Sequence, residues 1–210
     1  FPGSCWREAN PARRTPRWAP VLIVVRHGRT EANAAGQLLG RRDPGLDDVG
    51  RQQAAAIGAA LRGADRVVTS PLRRCRETAA AVGGPVEVDE RFIELDYGEL
   101  EGVPLAEVPA ATWQAWRADT AWSPPGGESL DDLADRVGGG LDDLAEAAGD
   151  IDIVVVSHVS PIKAAVAWAL GVGIETQWRC FVAQASITRI AVSGRGPSLH
   201  SYNEVHHLPT

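Results

Sequence analysis

Methionine is absent from this 210-residue chain, and lysine occurs once, as Lys163. A chain opening on Phe1 is therefore expected not to begin at its initiator. With lysine so rare, nearly every basic residue is arginine, a bias that goes with abundant alanine and glycine and the base composition behind them. Arginine abundance alone is thus no argument for a binding surface; position has to carry it. Cysteine is also scarce. Cys5, Cys75 and Cys180 are odd in number, far apart and in no metal-ligand spacing, which excludes a disulfide scaffold and fits a reducing, cytoplasmic setting. No apolar run approaches the ~20 residues that cross a bilayer, so no membrane association is expected. A net charge of −6 excludes the basic surface of a nucleic-acid-binding protein.

What remains is an ordinary globular composition, 44% hydrophobic, of a length that suits one domain with a full core. Residues 1–20 carry four prolines, four arginines and two tryptophans but no apolar core of a signal peptide, and read as a leader or expression remnant. The domain is assigned to residues 21–210. Its spacing predicts strands at 21–25, 66–69, 85–88, 151–156, near 185–192 and near 198–202. Helices are predicted from Asp47 to Arg62, from Pro71 at a first helical turn to Val82, from the Ser129 cap onward, and over 161–170. Strands alternating with helices indicate an α/β fold, a three-layer α/β/α sandwich on a mostly parallel sheet. Residues of about 94–128 break the rhythm with Trp113, Trp116, Trp122 and a Pro-Pro-Gly-Gly turn, and are expected to form a small cap insertion. Nothing in the sequence explains the Gly138-Gly139-Gly140 triplet inside a helix, at about 1 kcal/mol per glycine against alanine.

The most informative residues are Arg26-His27-Gly28, directly after the apolar run Val21–Val25. The C-terminal edge of such a strand is where ligands bind in open α/β sheets. The pattern recurs where Ile151–Val156 runs into Ser157-His158. Two strands each delivering a histidine, with arginines between them in sequence, suit a phosphate pocket, since guanidinium groups grip two oxygens at once. Metal-dependent phosphoryl transfer would need carboxylate ligands. Asp47-Asp48, Asp131-Asp132 and Asp142-Asp143 lie instead at or near expected helix starts, where acids favour the helix dipole; no metal or other cofactor is assigned. A further arginine comes from Arg73, Arg74 or Arg76, on a helix whose free N–H groups also suit an anion. Spacing does not choose among the three. On the loop after His27, Arg29, Gly40 and Arg41 are candidate substrate contacts or simply solvated. Lys163 reads equally as a snorkelling side chain or a substrate contact, and the tryptophans more as packing anchors than as recognition elements.

Six blocks in order, RHGRTEAN (26–33), LDDVGRQQA (46–54), SPLRRCRETA (70–79), ELDYGELEG (94–102), PPGGES (124–129) and VVSHVSPIK (155–163), resemble the histidine phosphatase superfamily, the phosphoglycerate-mutase-like proteins. Among its branches the last block, with the ALGV and ASITRIAV segments after it, is most similar to alpha-ribazole-phosphatase-like acid phosphatase domains. The resemblance implies a metal-independent phosphomonoester hydrolase with His27 as nucleophile, Arg26, Arg74 and His158 holding phosphate oxygens, and Glu94 as proton donor. Asn33 is implied as a phosphate contact, and Thr30 in the same block is assigned to substrate binding. Glu128 is the alternative to Glu94. The chain departs from the family pattern at Val159, where many members have glycine, and at Cys75 and Glu77. The expected partner is a small phosphomonoester, with a homodimer left open. The alternatives are a phosphoglycerate-mutase-type transferase and a non-catalytic phospho-ligand-binding protein.

Overall fold

The computed structural model describes residues 20–209, so the leader assigned to residues 1–20 lies, apart from Pro20, outside them. Six strands form one sheet in the order β3-β2-β4-β1-β5-β6. The first four of that order, β3 (Val86–Val88), β2 (Arg66–Thr69), β4 (Ile153–Ser157) and β1 (Val21–Arg26), are parallel neighbours. β5 (Ile187–Ser193) and β6 (Gly196–Glu204) close the other edge antiparallel. β1 and β4 are almost unbroken apolar runs because both faces of a central parallel strand are buried.

Alternation along these strands divides the core in two. Leu22, Val24, Ile153 and Val155 face α5 (Leu130–Ala147) and α6 (Val159–Leu170), meeting Leu133, Val137, Leu141 and Ile162. Ile23, Val25, Val154 and Val156 face α2 (Asp48–Ala60) and α3 (Arg73–Val82), meeting Ile57, Cys75, Ala79 and Val82. The result is the three-layer sandwich. A four-residue helix, α1 (Glu31–Ala34), follows β1, and α4 (Ala110–Ala118) lies between β3 and α5.

Local chemistry accounts for the helix ends. Asp47 caps α2 by accepting from the Gly50 N–H at 2.7 Å, and Ser129 caps α5 by accepting from the Asp132 N–H at 3.0 Å. α3 starts at Arg73, two residues beyond the expected Pro71. There the anion at the helix N-terminus is the protein's own, since the Arg73 N–H donates to Asp43 Oδ1. Asp142 and Asp143 sit well inside α5 rather than at a helix start; they accept from Trp168 Nε1 (2.9 Å) and Arg91 Nη1 (2.6 Å). One glycine of the triplet now has a reason. A Cβ on Gly140 would stand 2.9 Å from the Phe92 ring, whereas on Gly139 it would meet nothing. Among the described residues no helix is long and apolar enough to cross a membrane.

Residues 94–128 hold α4 and two short 3-10 turns, Gly98–Leu100 and Leu105–Glu107. Their tryptophans cluster. Trp116 stacks on Trp113 (5.7 Å) and meets Tyr97 (5.8 Å), Trp122 (5.8 Å) and Trp178 (6.0 Å) edge-on.

Candidate active site

The strand register brings the two histidines together. β1 and β4 pair from Leu22↔Ile153 to Arg26↔Ser157, so the next residue beyond the edge of each strand is a histidine. The His27 N–H continues the ladder onto the Ser157 carbonyl at 3.0 Å. The rings lie 5.1 Å apart, tilted by 64°. Gly28 is required here by close approach. A Cβ would fall 2.4 Å from the Gly50 carbonyl oxygen at the start of α2, so the chain leaving β1 and that helix can touch only without one. The Gly28 N–H donates to Thr78 Oγ1 on α3.

Of the three candidate arginines, only Arg74 turns inward. It is fully buried, while Arg73 pairs at the surface with Glu77 (2.6 Å) and Arg76 is exposed. Arg74 Nε–H lies between the histidines, 3.3 Å from His27 Nε2 and 3.2 Å from His158 Nδ1. Its Nη1 and Nη2 donate to the Arg42 (2.7 Å) and Gly40 (2.8 Å) carbonyls. Glu101 holds the same loop from its other side, accepting from the Gly40 (3.0 Å) and Arg41 (2.7 Å) N–H groups. Arg26 Nη1 donates to the Val182 carbonyl (2.7 Å), but its buried Nε has no acceptor among the described residues. An unmatched buried guanidinium N–H beside a histidine pair is an anion-binding feature.

The tautomers follow from the partners. His27 Nδ1 is 2.7 Å from the Gly28 carbonyl, which can only accept, so Nδ1 carries the hydrogen and Nε2 the lone pair. His158 Nδ1 receives Arg74 Nε–H, so its Nε2–H donates to Ser70 Oγ at 2.7 Å. Burial, then the charges of Arg74 and Arg26, pulls His27 well below the ordinary histidine range. Burial, Arg74 and His27 do the same to His158. Both imidazoles are neutral at pH 7. Cys75 packs with Sγ 3.3 Å from His158 Nε2, and burial pushes its thiol pKa up, so it stays protonated.

Glu94 is buried against the start of α6. Its Oε1 accepts from the Leu95 (2.8 Å) and Ser160 (3.2 Å) N–H groups, and its Oε2 from the Val159 N–H (3.1 Å). The Val159 backbone is therefore engaged with this carboxylate, which is what becomes of the family's glycine position in this chain. Three N–H bonds leave one lone pair free on Oε2. Glu128 is committed elsewhere, accepting twice from Arg136 (2.5 and 2.9 Å) and once from Arg41 (3.3 Å).

The loop candidates have mainly local partners. Asn33 Oδ1 accepts from the Thr30 N–H (3.2 Å) and Oγ1–H (3.0 Å), and Thr30 Oγ1 caps the Asn33 N–H, closing α1 on itself. Arg29 Nε pairs with Asp47 at 2.7 Å. A Cβ on Gly40 would strike the Leu95 carbonyl oxygen at 2.6 Å. Four contributors were not singled out from sequence: Ser70, Thr78, Glu101 and Arg136. Ser70 had a signal, because it follows β2 at the same sheet edge as the histidines; the others had none.

The histidine phosphatase superfamily (branch 1) profile matches residues 22–205. The chain belongs to this superfamily. It is 38% identical over 170 residues to a glucosyl-3-phosphoglycerate phosphatase of Mycolicibacterium vanbaalenii, covering 73% of this chain and 76% of that protein. It is also 38% identical over 187 residues to a bifunctional protein of Mycobacterium tuberculosis, 84% of this chain but only 50% of the relative. The chain thus spans about half the length of that curated relative. Among solved structures, a phosphoserine phosphatase mutant of Entamoeba histolytica in complex with phosphoserine superposes with a TM-score of 0.84 at 27% identity, over 90% of this chain and 100% of the other.

Proposed function

We propose that this chain hydrolyses small phosphomonoesters through a phosphohistidine on His27, with Arg26, Arg74, His158 and Glu94 as its catalytic partners. The observation that carries the reading is the Arg74 Nε–H between two neutral imidazoles, one of which carries its lone pair on Nε2, met only by that long contact. A phosphate dianion replaces that long contact. Guanidinium groups supply the charge stabilisation that phosphoryl transfer asks for. His27 Nε2 bonds to phosphorus as the bond to the leaving oxygen breaks, and Glu94 gives that oxygen its proton. Glu94 then takes a proton from water, whose oxygen bonds to phosphorus as the P–N bond breaks. Inorganic phosphate leaves and His27 returns neutral.

Ser70 lets His158 take part. When phosphate arrives, its negative charge favours the imidazolium: His158 keeps its Nε2–H on the Ser70 hydroxyl and takes a proton from solvent on Nδ1, which then donates to a phosphate oxygen. Relatives are named for phosphorylated organic acids, which supports a small phosphomonoester as the substrate class here. Cys75 and Cys180 are free thiols, in keeping with a reducing, cytoplasmic setting. We take residues 21–210 as one phosphatase unit, with residues 94–128 as its cap. The test is release of p-nitrophenol from p-nitrophenyl phosphate. The wild-type chain turns it over and His27→Asn does not; equal rates in both would remove His27 from the chemistry.

A further inference from the structure

Between the 3-10 turn Ile174–Arg179 and β5 runs a short connection, residues 180–186, that touches both residues at the end of β1. The Val182 carbonyl accepts from Arg26 Nη1 (2.7 Å) and the Ser186 carbonyl from the Arg26 N–H (3.0 Å). The Ala185 N–H donates to the His27 carbonyl at 3.3 Å. The connection has neither helix nor strand of its own, and Ala185 sits at a φ of +57°, in the left-handed region that strains an alanine. Such a backbone persists only where its surroundings fix it. Here the end of β6 does so. The β5–β6 pairing slips between Ile187↔Glu204 and Arg189↔Ser201, so β6 carries an extra residue there, and a bulge of this kind re-aims a side chain. Asn203 lies at the slip with a φ of +57°, which asparagine tolerates, and its Oδ1 accepts from the Ala183 N–H at 2.6 Å. Tyr202 donates its hydroxyl to the Phe181 carbonyl (2.5 Å). Just beyond the strand, His207 Nε2 lies 3.0 Å from the Ala185 carbonyl, which can only accept, so Nε2 carries the hydrogen. Leu208 then packs on the buried cluster that contains Ala185 and Val25.

We propose that Asn203 and His207 are positioning residues for phosphate binding, which act through residues 181–186 to hold the Arg26 guanidinium in register with His27. The two sets of bonds interleave. Phe181, Ala183 and Ala185 are held from β6, while Val182, Ala185 and Ser186 hold Arg26 and His27. Neither Asn203 nor His207 touches substrate in this account. Arg26 is the group that moves when they are lost. Among the described residues its long side chain is fixed at the head by the Val182 carbonyl alone, and its buried Nε has no acceptor. That carbonyl is placed by the neighbours on either side of it, and both of these are tied to β6. A shift of about 1 Å in a group that aligns a reacting phosphate is enough to cost about 10²-fold in rate. The inference rests on the phosphatase reading for one point, that Arg26 holds phosphate.

The test measures the calorimetric dissociation constant of inorganic phosphate and kcat on p-nitrophenyl phosphate, below the melting temperature of every variant. Asn203→Gly keeps the left-handed backbone and removes the acceptor; His207→Leu removes the donor; His207→Gln keeps an N–H at similar reach. Asn203→Gly and His207→Leu should each weaken phosphate binding about fivefold or more and lower kcat about tenfold or more, and His207→Gln should restore most of both. In an Arg26→Met background Asn203→Gly should cost no more than about twofold further, because the group it acts through is gone. A merely structural role lowers the unfolding midpoint and leaves both constants of the folded protein unmoved. His207 lies outside the sheet, so its variants carry the test if Asn203→Gly does not fold. Wild-type constants in the folded variants, or the full loss repeated on top of Arg26→Met, overturn the proposal. Hydrolysis with a phosphate affinity independent of Asn203 and His207 sinks this inference alone. An affinity that depends on them, without hydrolysis, sinks the phosphatase reading and leaves the positioning role standing.

Discussion

Replacing Arg74 by methionine keeps the volume of the side chain's stem and removes everything its guanidinium does. In the resting site it donates toward both histidines and to two loop carbonyls. Arginines that stabilise a transferring phosphoryl group are worth 10³–10⁵ in turnover, so kcat should fall by ~10³ or more, about 4 kcal/mol of barrier. A second consequence is specific to this geometry. Arg74 follows burial as the largest cause of the depressed His27 pKa. Without it the imidazole titrates at higher pH, and protonation removes the nucleophile. The acid limb of kcat/KM on p-nitrophenyl phosphate should therefore move upward in Arg74→Met, while Arg73→Met, a surface change, leaves the limb in place. The measurement is a pH–rate profile from pH 4.5 to 8 for all three proteins. A kcat within tenfold of wild type together with an unmoved acid limb would refute the reasoning.

Three other outcomes follow from the same structure. Glu94→Gln should cost about 10²–10⁴ in kcat on an alkyl phosphate and far less on p-nitrophenyl phosphate, whose leaving group needs no proton; equal losses on both would deny Glu94 the proton-donor role. Gly139→Ala should stabilise the fold by about 1 kcal/mol in urea unfolding, and Gly140→Ala should destabilise it by about 1–3 kcal/mol because its methyl meets Phe92; the reverse order would overturn the packing account of the triplet. Stability should also fall on acidification. His27 and His158 are held neutral when folded but take up a proton near pH 6.5 when unfolded, so the unfolded state binds more protons below that pH. Unfolding free energy is thus full above pH 6.5 and drops below it by up to about 2.7 kcal/mol per pH unit for the pair. A His27→Asn/His158→Asn double variant with an unchanged slope between pH 7.5 and 5.5 would show that other groups set it.

The histidine strands were legible because central parallel strands have a blunt signature, an apolar run ended by polar residues, and both runs end at the sheet edge where sites form. The offset that pairs Arg26 with Ser157 then makes neighbours of His27 and His158 without further instruction. Arg74 was legible only through family likeness. Successive helix positions point about 100° apart, and which of Arg73, Arg74 and Arg76 faces the site depends on how α3 lies on β2 and β4, which no local pattern states. The loop after His27 was less legible than the strands. Thr30, Asn33, Gly40 and Arg41 read as substrate contacts, yet much of their bonding is to the loop itself, to Glu101 and to Glu128. Side chain to backbone bonds of that kind join residues up to 61 apart in sequence and leave no periodic trace. Asp142-Asp143 misled for a related reason. An acidic pair resembles a helix start, but here it serves partners on α6 and near Phe92.

The central claim is a covalent one, and rapid quenching tests it directly. With a ³²P-labelled phosphomonoester, label should accumulate on His27 during turnover, resist base and be lost in acid. Label found on another residue, or none during active hydrolysis, would contradict the account.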